Sequence, residues 1–345
     1  MLLRRSARPA PTAPTSPDPA SLPPLPDGRR LGPHLPLGAG MVKAAERAGA
    51  IGASALQVFA DNPTAWKRRQ APPSELPAFR QRLDELDIRP LAIHAAYLIN
   101  LAGSDPEFRR RSVEVLASDL AVAPSYGARY VNVHVGSHRG SGVDEGTARV
   151  GEGVASALAA APQGRDAALV VLENSAGGGD GFGTDVPELA DLLEAVAAHG
   201  ADAERIGFCL DLAHLWGAGH RISEPEVVDA LLAEFDRRIG LERLVMIHVN
   251  DSRSELGSRA DRHEHVGAGS IGERGLGHIL RHPALDGVAF ILETPGMEEG
   301  YDAVNVARAR RLAAGLPLEP LPPEAFRTSR GSRTRRGQAG PADDA

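Results

Sequence analysis

Six apolar runs in this chain end on an imidazole or a carboxylate: His94 closes PLAIH, His134 closes YVNVH, Glu173 closes LVVLE, Asp211 closes FCLD, His248 closes LVMIH and Glu293 closes FILE. A polar group in that position loses its water and must be paired, hydrogen-bonded or metal-bound to offset the loss. Any one of them alone is an ordinary structural residue that has found a partner, but six converging on one place cannot easily all satisfy one another. Three further groups join them: His214 follows Asp211 by three residues in CLDLAH, and Asp261 and His263 lie two apart in GSRADRHEHVGAG. The set comprises five histidines and four carboxylates. Crowded carboxylates raise one another's pKa unless cations sit among them. Nitrogen and oxygen donors without thiolate suit zinc or manganese, and because zinc takes about four ligands, nine imply two or three ions. A multinuclear site of this kind is a device for phosphoester hydrolysis, in which the ions acidify a water and stabilise the attacking and leaving oxygens. The ligand set points to that chemistry without naming the substrate.

The elements that must position these groups are eight β-like runs: Leu31 to Leu35, Ala55 to Phe59, Pro90 to His94, Tyr130 to His134, Leu169 to Glu173, Ile206 to Asp211, Leu244 to His248 and Val288 to Glu293. Each is a continuous apolar run, the pattern of a strand buried on both faces. Helical patterns separate them, such as Pro106 to Ala123 with Ser104 and Glu107 spaced as a capping box, and Pro225 to Ile239 entered through Ser223 and Glu226. Eight strands alternating with helices indicate an α/β fold, a (β/α)8 TIM barrel over the alternative of an open doubly wound sheet, and in such a barrel the reacting groups come from the C-terminal ends of the strands. A single domain over residues 29–320 is expected, with a disordered Pro/Ala-rich tail at 1–28 and a disordered Arg-rich tail at 321–345. The polar stretch from Val249 to Ile271 reads as a functional loop over the strand ends.

Composition sets outer bounds. A 42% hydrophobic and 24% charged chain is that of a soluble globular protein. No apolar run approaches the roughly 18 residues needed to span a bilayer, and the N-terminus lacks a secretory apolar stretch, so a cytoplasmic protein is expected. Cys209 is the only cysteine, in an apolar strand where packing is its natural role. A formal net charge of −7 speaks at first against a nucleic-acid partner, but it omits bound metal. Three divalent ions would bring the total to about −1.

Taken together, the runs ALQVFADNPTAW (55–66), HAAYLINLA (94–102), HVGSH (134–138), LENSAG (172–177), CLDLAH (209–214), HVNDS (248–252), GSRADRHEHVGAGSIG (257–272) and LETPG (292–296) resemble the endonuclease IV family of apurinic/apyrimidinic (AP) endonucleases, over roughly Gly32 to Ala314. The resemblance implies three zinc ions per chain, with manganese an option at one site. His94, His134 and Glu173 look like ligands of the first; Glu173 bridges to a second that Asp211, His248 and Glu293 also hold; His214, Asp261 and His263 match the third. Glu173 is accordingly the expected catalytic residue. The implied reaction is incision of double-stranded DNA on the 5′ side of an abasic deoxyribose, leaving a 3′-hydroxyl and a 5′-deoxyribose phosphate, together with trimming of blocked 3′ ends, by a monomer acting in base excision repair. Tyr97 and Leu98 match the family's positions for filling the gap left by the extruded nucleotide, and Lys67 and Arg259 look like further DNA contacts. The chain departs from the pattern at Thr64, where some members place an arginine; at Val135, where Pro is usual; at Leu212 and Ala213, where Thr and Cys are usual; and in the short glycine-rich stretch 178–183. The alternative is a metal-dependent sugar isomerase or epimerase of the xylose-isomerase-like barrels, which share the Glu173, Asp211, His248 and Glu293 type of set; His94, His134, Asp261 and His263 tell against it.

Overall fold

The structure, a computed structural model, describes residues 17–327. In chain order the strands are β1 (Arg30–Leu35), β2 (Leu56–Val58), β3 (Leu91–His94), β4 (Ala128–His134), β5 (Leu169–Glu173), β6 (Ile206–Asp211), β7 (Leu244–His248), β8 (Asp251–Ser252), β9 (His263–Glu264) and β10 (Ala289–Leu292). The helices are α1 (Met41–Ala50), α2 (Leu76–Glu85), α3 (Pro106–Tyr126), α4 (Val143–Ala160), α5 (Val186–Ala198), α6 (Leu212–Ala218), α7 (Pro225–Arg238), α8 (Gly272–Arg281) and α9 (Tyr301–Ala313). β1 to β7 and β10 close into a parallel barrel in the order β1-β10-β7-β6-β5-β4-β3-β2. The expected (β/α)8 barrel is thus the observed one.

Strand alternation explains why ligands gather at one end. Inside the barrel, Ala55, Ala92, Val171, Cys209, Met246 and Ile291 form a compact apolar cluster. Side chains two positions further along a strand point the same way, and those positions hold Gln57, His94, Glu173, Asp211, His248 and Glu293. The barrel is therefore plugged by an apolar layer with a polar layer directly above it. Register sets the polar groups side by side: His134 pairs with Glu173 across β4 and β5, and Asp211 with His248 across β6 and β7. At Gly32 on β1 the chain has no room for a side chain, since a Cβ would lie 1.6 Å from the Ala55 carbonyl oxygen. Cys209 is buried in the apolar layer, as its setting predicted.

Elsewhere the structure refines the sequence reading. Pro106 occupies the first turn of α3, which makes Asp105 the cap; its carboxylate accepts from the backbone N–H groups of Glu107 and Phe108, so Ser104 is one residue too early. Pro225 likewise makes Glu224, not Ser223, the residue that precedes α7, and no side chain caps it. Residues 17–28, expected to belong to a disordered tail, contain two short 3-10 turns, and Leu22 and Leu25 pack against the core. At the other end Pro323–Arg327 forms another turn with Ala325 buried, its carbonyl accepting from His265. Apolar residues spaced too sparsely to show a period still find a groove on the barrel. The remainder of both expected tails, 1–16 and 328–345, lies outside the described residues. The polar stretch after β7 folds over the mouth as the antiparallel β8–β9 pair.

Candidate metal centre at the barrel mouth

All nine residues singled out as ligands meet at the C-terminal end of the barrel. Glu173, Asp211 and His248 are fully buried, and His94 and His214 nearly so. Glu173 is central: its Oε2 lies 3.3 Å from His134 Nε2 and 3.7 Å from His94 Nε2, and its Oε1 lies 3.3 Å from His214 Nδ1 and 3.4 Å from His248 Nδ1. Glu293 Oε2 is 3.5 Å from His248 Nδ1. Asp261 Oδ1 stands 3.0 Å from His263 Nε2 and 3.4 Å from His214 Nε2. Asp211 belongs to both halves, because its Oδ2 lies 3.7 Å from His248 Nδ1 and 3.5 Å from His263 Nε2. Three groups of potential ligand atoms form here, the atoms of each lying within 4.8 Å of one another: His94, His134 and Glu173; Glu173, Asp211 and His248; and Asp211, His214 and His263.

The surrounding hydrogen bonds decide which nitrogen of each imidazole faces inward. Nδ1–H of His94 donates to the Ala95 carbonyl, that of His214 to the Asn174 carbonyl and that of His263 to the Glu293 carbonyl, which leaves Nε2 as the nitrogen facing inward. His248 is reversed: its Nε2–H donates to Gln57 Oε1 and Nδ1 faces the cluster. This is how metal-binding histidines are held. His94 Nε2, His248 Nδ1, His263 Nε2 and Glu173 Oε1 are buried with no hydrogen-bond partner among the described residues. Buried polar atoms in a folded protein are normally satisfied, so four orphans aimed at one space fit cations.

The carboxylates are held just as firmly. Asn132 Nδ2 donates to Glu173 Oε2 at 2.6 Å, and Asn250 Nδ2 to Asp211 Oδ2 at 2.7 Å, while the Asn250 side-chain carbonyl oxygen accepts from the Glu293 backbone N–H. Glu293 Oε1 accepts from Gln57 Nε2 and pairs with His34 Nδ1 at 2.8 Å. Gln57 therefore ties Glu293 to His248. Sequence reading missed Gln57, His34, Asn132, Asn174 and Asn250; the available signal was a polar residue inside or just beyond a strand that must be buried. Asp211 has a second duty, since Oδ1 accepts from the His214 N–H and caps α6, which starts at the very next residue. Leu212 and Ala213, atypical of the family pattern, are buried in that first turn, where apolar side chains pack readily.

Charge balance points the same way. Burial alone would raise the Glu173 carboxyl, but the imidazoles of His134 and His248 outweigh it and hold it well below the usual range. Against the same burial, His214 and His263 lower Asp211 and bring Asp261 well below its ordinary value, and His248 with His34 does so for Glu293. Burial would depress the histidines, yet Asp211 and Asp261 push His214 up to about 10 and His263 up to about 9. The cluster demands positive charge, and in the ion-free protein protons on His214, His248 and His263 supply it.

Beside the ligands opens a cavity of about 460 Å³ lined by Tyr97, Leu98, Asn100, Gly136, Ser175 and Arg259 together with His134, His214 and Asp261. Tyr97 is exposed at its rim, edge-on to Phe59 at 4.9 Å, while Leu98 is half-buried. Lys67, expected as a DNA contact, is exposed on the loop after β2 and does not line this cavity. That loop is anchored from behind, with Trp66 edge-on to Phe108 at 4.9 Å and the Arg111 guanidinium 4.4 Å above its ring. On it, Thr64 donates its hydroxyl to Asn62 Oδ1. The glycine-rich stretch 178–183 packs closely on the mouth: a Cβ at Gly178 would sit 2.6 Å from the Arg259 carbonyl oxygen, and Ser137 Oγ donates to the Gly179 carbonyl. A second cavity, about 500 Å³, opens at the opposite end of the barrel among Arg30, Arg80, Arg89 and Arg129. Among the described residues no set of ligand atoms converges on it, so the mouth is the candidate site.

A family profile described as "Xylose isomerase-like TIM barrel" matches residues 26–316. A probable endonuclease 4 from Halothermothrix orenii is 38% identical over 282 residues, covering 81% of this chain and 99% of that protein. The chain belongs to the endonuclease IV family. A probable endonuclease 4 from Methanoculleus marisnigri is also 38% identical, over 82% of this chain and 98% of its own length. The crystal structure of endonuclease IV from Thermus thermophilus superposes with a TM-score of 0.72 at 39% identity, over 83% of this chain and 99% of that one. A D-tagatose 3-epimerase-like protein shares the barrel at 15% identity and a TM-score of 0.61, a likeness of fold alone. Membership of the endonuclease IV family makes the chain a DNA-cleaving hydrolase.

Proposed function

We propose that the protein is a zinc-dependent AP endonuclease of base excision repair, working in the cytoplasm as a monomer. It would hydrolyse the phosphodiester 5′ to an abasic deoxyribose in double-stranded DNA, leaving a 3′-hydroxyl and a 5′-deoxyribose phosphate, and trim blocked 3′ ends. The observation that carries this reading is the set of buried, orphaned ligand atoms converging beside an open cavity at the barrel mouth. His94, His134 and Glu173 would hold one ion, Glu173, Asp211, His248 and Glu293 a second, and His214, Asp261 and His263 a third, with manganese an option at one of them. When bound, such ions supply Lewis-acid charge to the phosphoryl oxygens and lower the pKa of water.

The chain's own residues do the rest. Glu173 presents one carboxylate oxygen toward His94 Nε2 and His134 Nε2 and the other toward His248 Nδ1, which suits a bridge between two ions. The asparagines and Gln57 fix the ligands before substrate arrives, so little reorganisation is left for the reaction. Tyr97 and Leu98, which line the cavity, would fill the space vacated by an extruded abasic nucleotide, and Arg259 would meet a phosphate. A sugar epimerase has no use for the additional ligands Asp261 and His263 above the mouth.

The test is a duplex carrying one tetrahydrofuran abasic analogue, incubated with metal-replete protein while bound zinc is measured. Incision on the 5′ side with three ions per chain is expected. Two or fewer ions and no 5′ incision would sink the reading.

A further inference from the structure

Away from the mouth, a second group of imidazoles and a carboxylate lies between two outer helices. His278 is on α8 and His282 immediately follows that helix; their Nε2 atoms lie 2.5 and 3.2 Å from one oxygen of Asp229, on α7. The two rings are 5.3 Å apart. We propose that Asp229, His278 and His282 form a further metal site, taking a divalent zinc-like ion that clips α7 to α8.

The donor set is two imidazole nitrogens four residues apart plus a carboxylate, the same N/O chemistry that zinc accepts at three protein ligands with water completing the shell. Zinc with bonds of about 2.0 to 2.1 Å in a tetrahedron separates its ligand atoms by about 3.3 to 3.4 Å. The His282 to Asp229 distance of 3.2 Å already matches, and only the His278 to Asp229 distance of 2.5 Å must open. Candidate ligand atoms of all three residues lie within 4.8 Å of one another. The imidazoles are 28% and 14% exposed and the carboxylate 55%, so an ion can enter from solvent and keep water in its open positions.

Two features oppose binding. His282 Nδ1 accepts the Ala284 N–H at 3.2 Å, and ligation through Nε2 moves the imidazole proton to Nδ1 and gives up that contact. Arg29, which donates to the carbonyls of Leu280 and His282, also disfavours added positive charge nearby. The site is therefore weaker than the buried cluster and responds to free zinc after the mouth is filled.

The experiment uses the full chain with its mouth loaded. Zinc is titrated by equilibrium dialysis into wild type, Asp229→Asn and His278→Gln, and metal content and thermal midpoint are read together. Wild type should take up one ion per chain more than either variant, with a midpoint raised by the added zinc, and both variants should lose the extra ion and the rise. The two substitutions sit on separate helices, and abasic-site incision reports that each variant has folded. Equal ion counts in all three proteins, or a zinc-insensitive wild-type midpoint, would overturn the proposal.

Discussion

At the barrel mouth, His94, His214, His248 and His263 each spend one ring nitrogen on a carbonyl or amide oxygen and leave the other facing the cluster, whereas His278 and His282 point Nε2 straight at Asp229. The first arrangement holds ligand atoms in place whether or not an ion is present, at the expense of buried unsatisfied atoms. The second satisfies its own atoms and must break hydrogen bonds to bind. Preorganisation of this kind needs a second ring of residues, and the mouth has one in Gln57, Asn132, Asn174 and Asn250. Beside the α7–α8 cluster stands Arg29, and it works against the ion. Similar side chains are thus preorganised around empty ligand positions in one place and paired with one another in the other.

The contrast can be broken most directly at Glu173. Glu173→Gln removes the carboxylate charge at the centre of the cluster, and incision of the abasic duplex should fall by about a thousandfold or more, as for loss of a principal electrostatic group; activity near wild type would refute the ligand assignment. The next largest effect is on pH. His214 and His263 are raised to about 10 and about 9, so in the ion-free protein they carry protons below those values, and an ion must displace them. Ion affinity at the mouth should weaken as pH falls, by up to about tenfold per unit for each proton displaced, and level off above about pH 10. Chelator competition across a pH series reads this; a flat profile would mean that the imidazoles are already neutral. Gln57→Leu should cost about 10- to 100-fold in ion affinity, since it frees His248 and Glu293 at once. An unchanged dissociation constant would mean that the second ring is packing alone. Smallest of all, Asp229→Asn should leave incision within about twofold of wild type, as for a substitution that touches no substrate-binding group; a larger loss would couple α7 and α8 to the mouth.

Much of the mouth was legible in the chain because barrel strands convert sequence into position directly. A run such as LVVLE leaves Glu173 only one place to go once the strand is buried on both faces, and the same holds for His94, Asp211 and His248. The supporting residues were harder to see. Asn132 lies inside YVNVH and Gln57 inside ALQVF, and both become informative only when strand register shows that they point inward at the level of the ligands. Asp229, His278 and His282 were invisible for a different reason: 49 residues separate Asp229 from His278 in sequence, and the packing of α7 on α8 that joins them is set by tertiary structure. At the ends, Leu22, Leu25 and Ala325 carry too little periodic signal to announce a docked segment.

The abrupt turn at Asp211 makes one carboxylate answer for two kinds of stability. Its Oδ2 faces the cluster while Oδ1 caps α6. The loop that brings Asp261 and His263 to the mouth in turn hangs on α6, through Trp216 Nε1 donating to the Ser254 carbonyl and the N–H groups of Gly257 and Arg259 donating to the carbonyls of Trp216 and Gly217. Local unwinding of this short helix would release Asp261 and His263 with it, so α6 and its loop are tied into one hydrogen-bonded unit. A substitution such as Asp211→Ala would therefore read as loss of a ligand and as partial melting together, whereas Asp211→Asn keeps an oxygen for the cap and isolates the loss of charge.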